Sequence, residues 1–156
     1  MVVIEMENGK TIEIELDEIS APITVENFKE LVANHFYDGL TFHRVIEGFM
    51  IQGGDPVGNG TGGSEKTIVG EFLSNGYNNP LKHQRGVISM ARSSNPNSAS
   101  SQFFIMHQDA PHLDGNYAAF GKVVKGMETV DEIATCETGF MDRPIKAQIM
   151  KHVYLK

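Results

Sequence analysis

The stretch from Phe42 to Asp55 reads F-H-R-V-I-E-G-F-M-I-Q-G-G-D. Short apolar runs lie on both sides of Glu47-Gly48, a pattern typical of two short strands joined by a turn. One cation, Arg44, and one amide, Gln52, lie among these apolar residues. An ordinary strand pair with a surface arginine explains the stretch as well as a binding site does, so the rest of the chain has to decide.

A β-hairpin is predicted at the N-terminus. Val2 to Met6 and Thr11 to Leu16 are rich in β-type residues, and Asn8-Gly9 between them accepts the positive φ of a tight hairpin turn. In the second run, isoleucine alternates with glutamate, which predicts one buried and one wet face of the sheet.

Two helices are predicted, far apart in the sequence. The first runs from about Thr24, a candidate N-cap, to His35, and the second from Met127 to about Thr135. Leu40 to about Gln108 has no helical periodicity and predicts short strands joined by long loops, and the chain ends in a strand within Ile145 to Leu155. Because helices and strands do not alternate, we expect a mainly β fold, an antiparallel barrel with flanking helices, and not a doubly wound sheet.

Composition narrows the class of protein. A length of 156 residues fits one domain, residues 1–156. Thirteen Lys and Arg against twenty Asp and Glu give a net charge of −7, which argues against a nucleic-acid binder. No apolar run is long enough for a membrane helix. Cys136 is the single cysteine, so no internal disulfide can form, and we expect a reducing, cytoplasmic location. The chain has no tryptophan.

The charge is unevenly distributed along the chain. No Asp or Glu occurs from Phe72 to His107, whereas Lys82, Arg85 and Arg92 do. This window therefore carries +3 and the remaining residues −10, against a net charge of −7. We expect a neutral to slightly basic groove in the middle of the chain, suited to an uncharged peptide.

Other chemistries lack the pattern they need. Gly58, Gly60 and Gly63 match the dinucleotide-binding spacing, but no helical pattern follows them. Ser89 is outside a nucleophile elbow, and the six histidines show no zinc-site spacing. A metal role for His107 with His112 stays open as a minor alternative, and we predict neither a metal nor a cofactor.

The motifs taken together resemble a known family. The stretch from Phe42, the pair Gly62-Gly63, G-V-I-S-M-A from Gly86, S-Q-F-F-I from Ser101 and L-D-G-N-Y-A-A-F-G-K-V from Leu113 look like the signature of cyclophilin-type peptidyl-prolyl cis-trans isomerases. They are most similar to short, single-domain prokaryotic members. The resemblance implies a closed eight-stranded antiparallel barrel with two flanking α-helices, and an enzyme that accelerates rotation about X-Pro bonds without a cofactor.

The resemblance also implies roles for individual residues. By motif position, Arg44 corresponds to the catalytic arginine, and Gln52 and Phe49 are grouped with it as the catalytic set. The residues expected to bind the substrate are Met50, Ala91, Arg92, Gln102, Phe104, His112, Leu113 and Tyr117.

Glu47 stands where the family usually has a proline in that turn, and two positions of the expected pocket also depart from the common pattern. Tyr117 stands where a pocket histidine is usual, and His112 where many members have the tryptophan whose indole N–H takes part in cyclosporin binding. We therefore expect weak cyclosporin binding. The expected partners are proline-containing peptides and unfolded or nascent proteins. We expect no binding to nucleic acid or membranes, and we expect the protein to be a monomer. A proline-peptide-binding or chaperone module on the same fold is the alternative, and a carrier of small apolar ligands is disfavoured.

Overall fold

The computed structural model describes residues 1–156. Eight strands and two helices follow one another as β1 Val2–Met6, β2 Thr11–Leu16, α1 Pro22–Ala33, β3 Phe42–Ile46, β4 Met50–Gly53, β5 Val87–Met90, β6 Phe103–Met106, β7 Ala119–Lys125, α2 Met127–Ala134 and β8 Met150–Leu155. The predicted hairpin is β1–β2, with Gly9 at φ 87° in its turn. The second helix is found within one residue of its predicted bounds.

All strands belong to one antiparallel sheet, with the order β3-β4-β6-β5-β7-β2-β1-β8. The sheet curls into a half-barrel, and the fold is mainly β with two helices, as predicted. Neither helix is long and apolar enough to cross a membrane.

The sheet is open at one seam, which corrects the expected closed barrel. The edge strands β3 and β8 do not pair along their length. The two edges meet only where these strands begin: Thr41 forms a bridge with Ile149, and the Gly39 N–H donates to the Met150 carbonyl at 2.7 Å. The short 3-10 turn Phe140–Asp142 contacts β3, so this turn lies beside the strand where a closing ladder would form.

The first helix begins at Pro22, and the predicted cap at Thr24 is wrong. Proline at the first helical position has a φ that suits a helix start and lacks the N–H that would need a partner. Thr24 instead donates from its backbone N–H and its hydroxyl to the buried carboxylate of Glu71, at 2.6 and 2.7 Å. The Glu71 carboxylate, 47 residues away in the sequence, therefore accepts a free N–H group of the first helical turn, as a capping side chain would.

Period-two alternation holds on β2 with one exception. Ile12 and Ile14 are fully buried and Glu15 is exposed, as predicted. Glu13 is only 9% exposed, because Lys156 and Lys125 cover its carboxylate. This neighbourhood lowers the pKa of Glu13, through the Lys156 hydrogen bond first, although desolvation opposes the shift.

The central strands are buried on both faces, and this creates the floor of the site. Ile51 and Ile105 point into the main core, while their neighbours Met50 and Phe104 belong to a second, smaller apolar cluster. Successive side chains of a strand face opposite sides, so β4 and β6 contribute to both clusters. The second cluster also contains Leu113, from the loop between β6 and β7. This cluster carries the predicted site residues.

Candidate active site

One cavity brings together most of the residues predicted for the site. Its volume is about 150 Å³, and it is lined by Arg44, Phe49, Met50, Gln52, Ala91, Arg92, Phe104, Leu113 and Tyr117. Of the predicted residues, only Gln102 and His112 lie outside the lining. A larger cavity, of about 720 Å³, lies beside β2 and β7 and contains none of them.

The register of three strands places the polar and apolar groups on one face. Arg44 on β3 is paired with Gln52 on β4, and Gln52 is paired with Phe104 on β6. Directly paired residues of neighbouring strands project to the same side of the sheet. A guanidinium, an amide and a phenyl ring are thereby lined up across the sheet, although they come from positions up to 60 residues apart.

A chain of hydrogen bonds connects the arginine to a glycine-rich loop. Nε2 of Gln102 donates to the carbonyls of Gly60 and Gly62, at 3.1 and 2.8 Å. Its Oε1 accepts from Nε2 of Gln52 at 3.0 Å, and Oε1 of Gln52 lies 3.4 Å from Nη1 of Arg44. Because the two carbonyls accept only, they fix which end of each amide donates. Gln102 therefore lies outside the cavity but orients the groups inside it.

The glycine-rich loop is itself held by one buried carboxylate. Asp55 accepts from the backbone N–H groups of Val57, Asn59 and Gly60 at 2.6–3.1 Å. Desolvation of Asp55 opposes ionisation, but these backbone donors together lower its pKa. A Cβ built at Gly62 would lie 2.2 Å from an oxygen of Asp55, so glycine is required there. The spaced glycines therefore allow the loop to close around the Asp55 carboxylate, and no α-helix directly follows the loop.

Sequence reasoning missed a network beneath the pocket. Nδ1 of His83 lies 3.1 Å from Asp114 and its Nε2 lies 2.9 Å from the Ser89 hydroxyl. The His83 ring stacks at 6.0 Å on Phe104, and Ser89 is the register partner of Phe104. Burial lowers the pKa of His83 although Asp114 opposes the shift. Ser89 is fully buried and therefore cannot meet a substrate.

Arg92 is stacked between two aromatic rings. Its guanidinium carbon lies 4.9 Å from the ring centre of Phe72 and 4.6 Å from that of Tyr117. Nη2 of Arg92 also donates to the Asn116 carbonyl at 2.6 Å. The rings and the carbonyl fix Arg92 as one wall of the cavity. Phe72 and Asn116 carry no sequence motif that would have predicted this role.

The charge of the site comes from fewer cations than the sequence suggested. Arg85 forms an ion pair with Asp131 at 2.7 Å, and Lys82 lines the larger cavity elsewhere. Among the three cations between Phe72 and His107, only Arg92 lines the cavity, together with Arg44 from β3. No carboxylate lines the cavity, so its electrostatics favour an uncharged or electron-rich ligand.

Besides His83, three histidines lie near the cavity without lining it. The His112 ring lies 5.9 Å from Phe49, at the exposed rim. Nδ1 of His107 accepts from the Gly48 N–H at 2.8 Å and its Nε2 lies 3.2 Å from Asp131, so His107 is engaged without His112. His43, next to Arg44 in the chain, is buried with neither ring nitrogen in a hydrogen bond.

The chain is similar to known proteins over most of its length. The sequence profile described as cyclophilin type peptidyl-prolyl cis-trans isomerase/CLD matches residues 1–155. Peptidyl-prolyl cis-trans isomerase B of Bacillus subtilis is 50% identical over 123 residues, 79% of this chain and 82% of that protein. Peptidyl-prolyl cis-trans isomerase CYP18-1 of Arabidopsis thaliana is 48% identical over 134 residues, 85% and 81% of the two chains.

A solved structure has the same fold. The crystal structure of a Cryptosporidium parvum cyclophilin type peptidyl-prolyl cis-trans isomerase, determined in the presence of the dipeptide Ala-Pro, superposes with a TM-score of 0.90. Its sequence is 36% identical, and the superposition covers 99% of this chain and 98% of that one.

Proposed function

Since the chain belongs to the family of cyclophilin-type peptidyl-prolyl cis-trans isomerases, we propose that it catalyses X-Pro isomerisation in the cavity between Arg44 and Phe104. The uncatalysed reaction is slow because the peptide C–N bond has partial double-bond character, with a barrier of about 18–20 kcal/mol. Catalysis requires tighter binding of the twisted amide than of either planar form.

Arg44 is the group proposed to favour the twisted amide. Rotation localises the lone pair on the prolyl nitrogen, and that nitrogen then becomes a hydrogen-bond acceptor. The guanidinium stays charged at every relevant pH and presents donors in a rigid fork. It can therefore donate to the prolyl nitrogen, or to the adjacent carbonyl as it turns, and this interaction is strongest at the transition state.

The apolar lining is proposed to hold the proline ring while the preceding carbonyl turns. Met50, Phe104 and Leu113 are at most 8% exposed and belong to one packed cluster, and Phe49 packs against it. A rigid apolar pocket suits a ring that must stay fixed as the bond beside it rotates. No covalent bond forms or breaks during isomerisation, so the reaction needs no nucleophile.

The observation that carries this proposal is the chain of hydrogen bonds from Gly62 through Gln102 and Gln52 to Arg44. It aims a cation at the edge of an apolar pocket that contains no carboxylate. Binding of a proline-rich peptide alone would not require this alignment. The alternative, a binding or chaperone module with incidental turnover, is therefore second.

The substrates we propose are proline-containing peptides and unfolded or nascent proteins. The apolar part of the pocket suits an uncharged proline ring, no carboxylate lines the pocket, and the Cryptosporidium parvum relative was crystallised in the presence of Ala-Pro. Weak cyclosporin binding, a monomeric state and a cytoplasmic location stay predictions.

A direct test measures the relaxation of X-Pro peptides from cis to trans with the purified chain, over a set of residues before proline. We expect acceleration proportional to enzyme concentration. If the peptides bind, as measured by fluorescence titration, without any acceleration of their isomerisation, the chain is a binding module.

A further inference from the structure

A cluster of metal-ligating side chains lies outside the active site, at the seam between the two edges of the sheet. It consists of His35, in the turn that follows α1, Asp38, in the same turn, and His152 on β8. One ligand atom from each of the three lies within 4.8 Å of the others. None of them lines the cavity that contains Arg44.

The shared atom of the cluster is Oδ2 of Asp38. Nδ1 of His35 lies 3.3 Å from it and Nδ1 of His152 lies 3.1 Å from it. Ligand atoms about 2.0–2.2 Å from a tetrahedral zinc ion lie roughly 3.3–3.5 Å apart. Small side-chain rotations would therefore place all three atoms on one cation, which would replace the protons now shared between them.

The surrounding structure already holds Asp38 and His152 in place. Oδ1 of Asp38 accepts the Val153 N–H at 2.8 Å, which leaves Oδ2 free to face the two rings. The His152 ring stacks on Tyr154 at 4.8 Å, and the two histidine rings lie 6.2 Å apart and nearly parallel. His35 has a φ of 60°, in the left-handed region, so the backbone turns sharply there. Such supporting contacts are typical of metal sites, whose ligands need a fixed orientation.

We propose that His35, Asp38 and His152 bind a divalent transition cation of the zinc type, with water in the remaining position. Two imidazoles and one carboxylate are ligands that zinc and related ions prefer. Side chains of Asp38 and His152 are 28% and 41% exposed, so the site is open to solvent and to an entering ion.

The position of the site gives the cation a structural consequence. Residues 39–42, which follow the turn, form hydrogen bonds to residues 148–150 and so link the two edges of the open sheet. A cation bound to Asp38 and His152 would cross-link the same two segments. Because a ligand that binds only the folded state stabilises it, occupancy should raise the unfolding temperature.

The test is a calorimetric titration of the intact chain with Zn²⁺, together with thermal unfolding with and without Zn²⁺. We expect one equivalent to bind and the unfolding temperature to rise. His35→Gln, Asp38→Asn and His152→Gln should each weaken binding by at least about 10-fold. Asp142→Asn, at an exposed carboxylate, and His112→Gln, at an exposed imidazole, are the matched controls and should leave the affinity unchanged.

Binding of Co²⁺ provides a second readout, because its visible absorption reports tetrahedral coordination and should disappear in the three variants. The absence of a one-equivalent site, or a site weakened only by His112→Gln, would overturn the proposal. Isomerase activity measured in a chelator is an independent quantity, since the cluster shares no residue with the active site. Failure of the metal site therefore leaves the proposed function untouched.

Discussion

The side-chain amides of Gln52 and Gln102 are joined head to tail, with Nε2 of Gln52 donating to Oε1 of Gln102 at 3.0 Å. The two residues lie 50 positions apart and neither is fully buried. The Gly62 carbonyl accepts from Gln102 and so determines which end of each amide donates. At the other end of the chain of hydrogen bonds, Oε1 of Gln52 accepts from Arg44. The position of the Arg44 guanidinium therefore depends on a glycine-rich loop that does not line the active-site cavity.

Gln102→Glu tests this dependence. A carboxylate can accept from Gln52 but cannot donate to the carbonyls of Gly60 and Gly62, so it repels the loop. Each lost neutral hydrogen bond is worth about 0.5–1.5 kcal/mol, and we expect kcat/KM to fall roughly 10-fold. Gln84→Glu, the same change at an exposed glutamine outside the site, is the control. Equal activity of the two variants would show that Gln102 does not position the site.

Arg44→Ala should abolish most of the turnover while the fold is kept. Removal of one donor that acts mainly on a transition state typically costs about 10²–10³ in rate. The side chain is exposed on β3, so we expect the free energy of unfolding to change by less than about 0.5 kcal/mol. The check is a peptide assay limited by proline isomerisation, run beside chemical denaturation.

Arg44→Lys separates charge from geometry. Lysine keeps the positive charge but lacks the planar fork of donors, so its activity should fall between those of the parent and of Arg44→Ala. Near-full activity in Arg44→Ala would show that Arg44 does not stabilise the transition state.

The residues that line the cavity each occur in a short sequence motif, but the contacts between them could not be predicted from the sequence. Arg44, Gln52 and Phe104 could be assigned by motif position, and strand alternation then places them on one face. The stacking of Arg92 on Phe72 joins residues from separate loops, and no local pattern encodes such a contact.

Prediction of the fold likewise succeeded for local elements and failed for features that depend on contacts between distant residues. Hairpin, strand and second-helix patterns are local, and the structure reproduces them. The start of α1 was misplaced because Glu71 supplies a distant acceptor to Thr24. Closure of the sheet was expected from family resemblance, yet it depends on how residues 39–42 meet residues 148–150. Long-range geometry of this kind follows from packing and not from periodicity.

His112→Trp should tighten the binding of cyclosporin. His112 is exposed and its ring lies 5.9 Å from Phe49, at the rim of the pocket. An indole adds apolar area and an N–H donor there, and buried aromatic area contributes strongly to interfaces. We expect an affinity gain of roughly 10-fold or more in a fluorescence or calorimetric titration. His112→Phe adds the area without the donor and separates the two contributions. Unchanged affinity in His112→Trp would mean that this position does not contact the drug.

His43 should make the protein less stable in mild acid. Burial lowers the pKa of His43, the arginines Arg143 and Arg44 act in the same direction, and Asp55 opposes them. The folded state therefore binds fewer protons than the unfolded state below the ordinary histidine pKa of about 6.5. Stability is fully present above that pH and is lost as the pH falls below it. His83, whose pKa burial also lowers, contributes with the same sign.

His43→Leu should make this pH dependence shallower. Neither ring nitrogen of His43 has a hydrogen-bond partner, so an apolar side chain there removes an uncompensated desolvation cost. At pH 7 we expect the free energy of unfolding to stay level or to rise by about 1 kcal/mol. Urea denaturation at pH 7 and pH 5 measures both effects, with His112→Leu as an exposed control. If the parent and His43→Leu lose equal stability between the two pH values, His43 is not the titrating group.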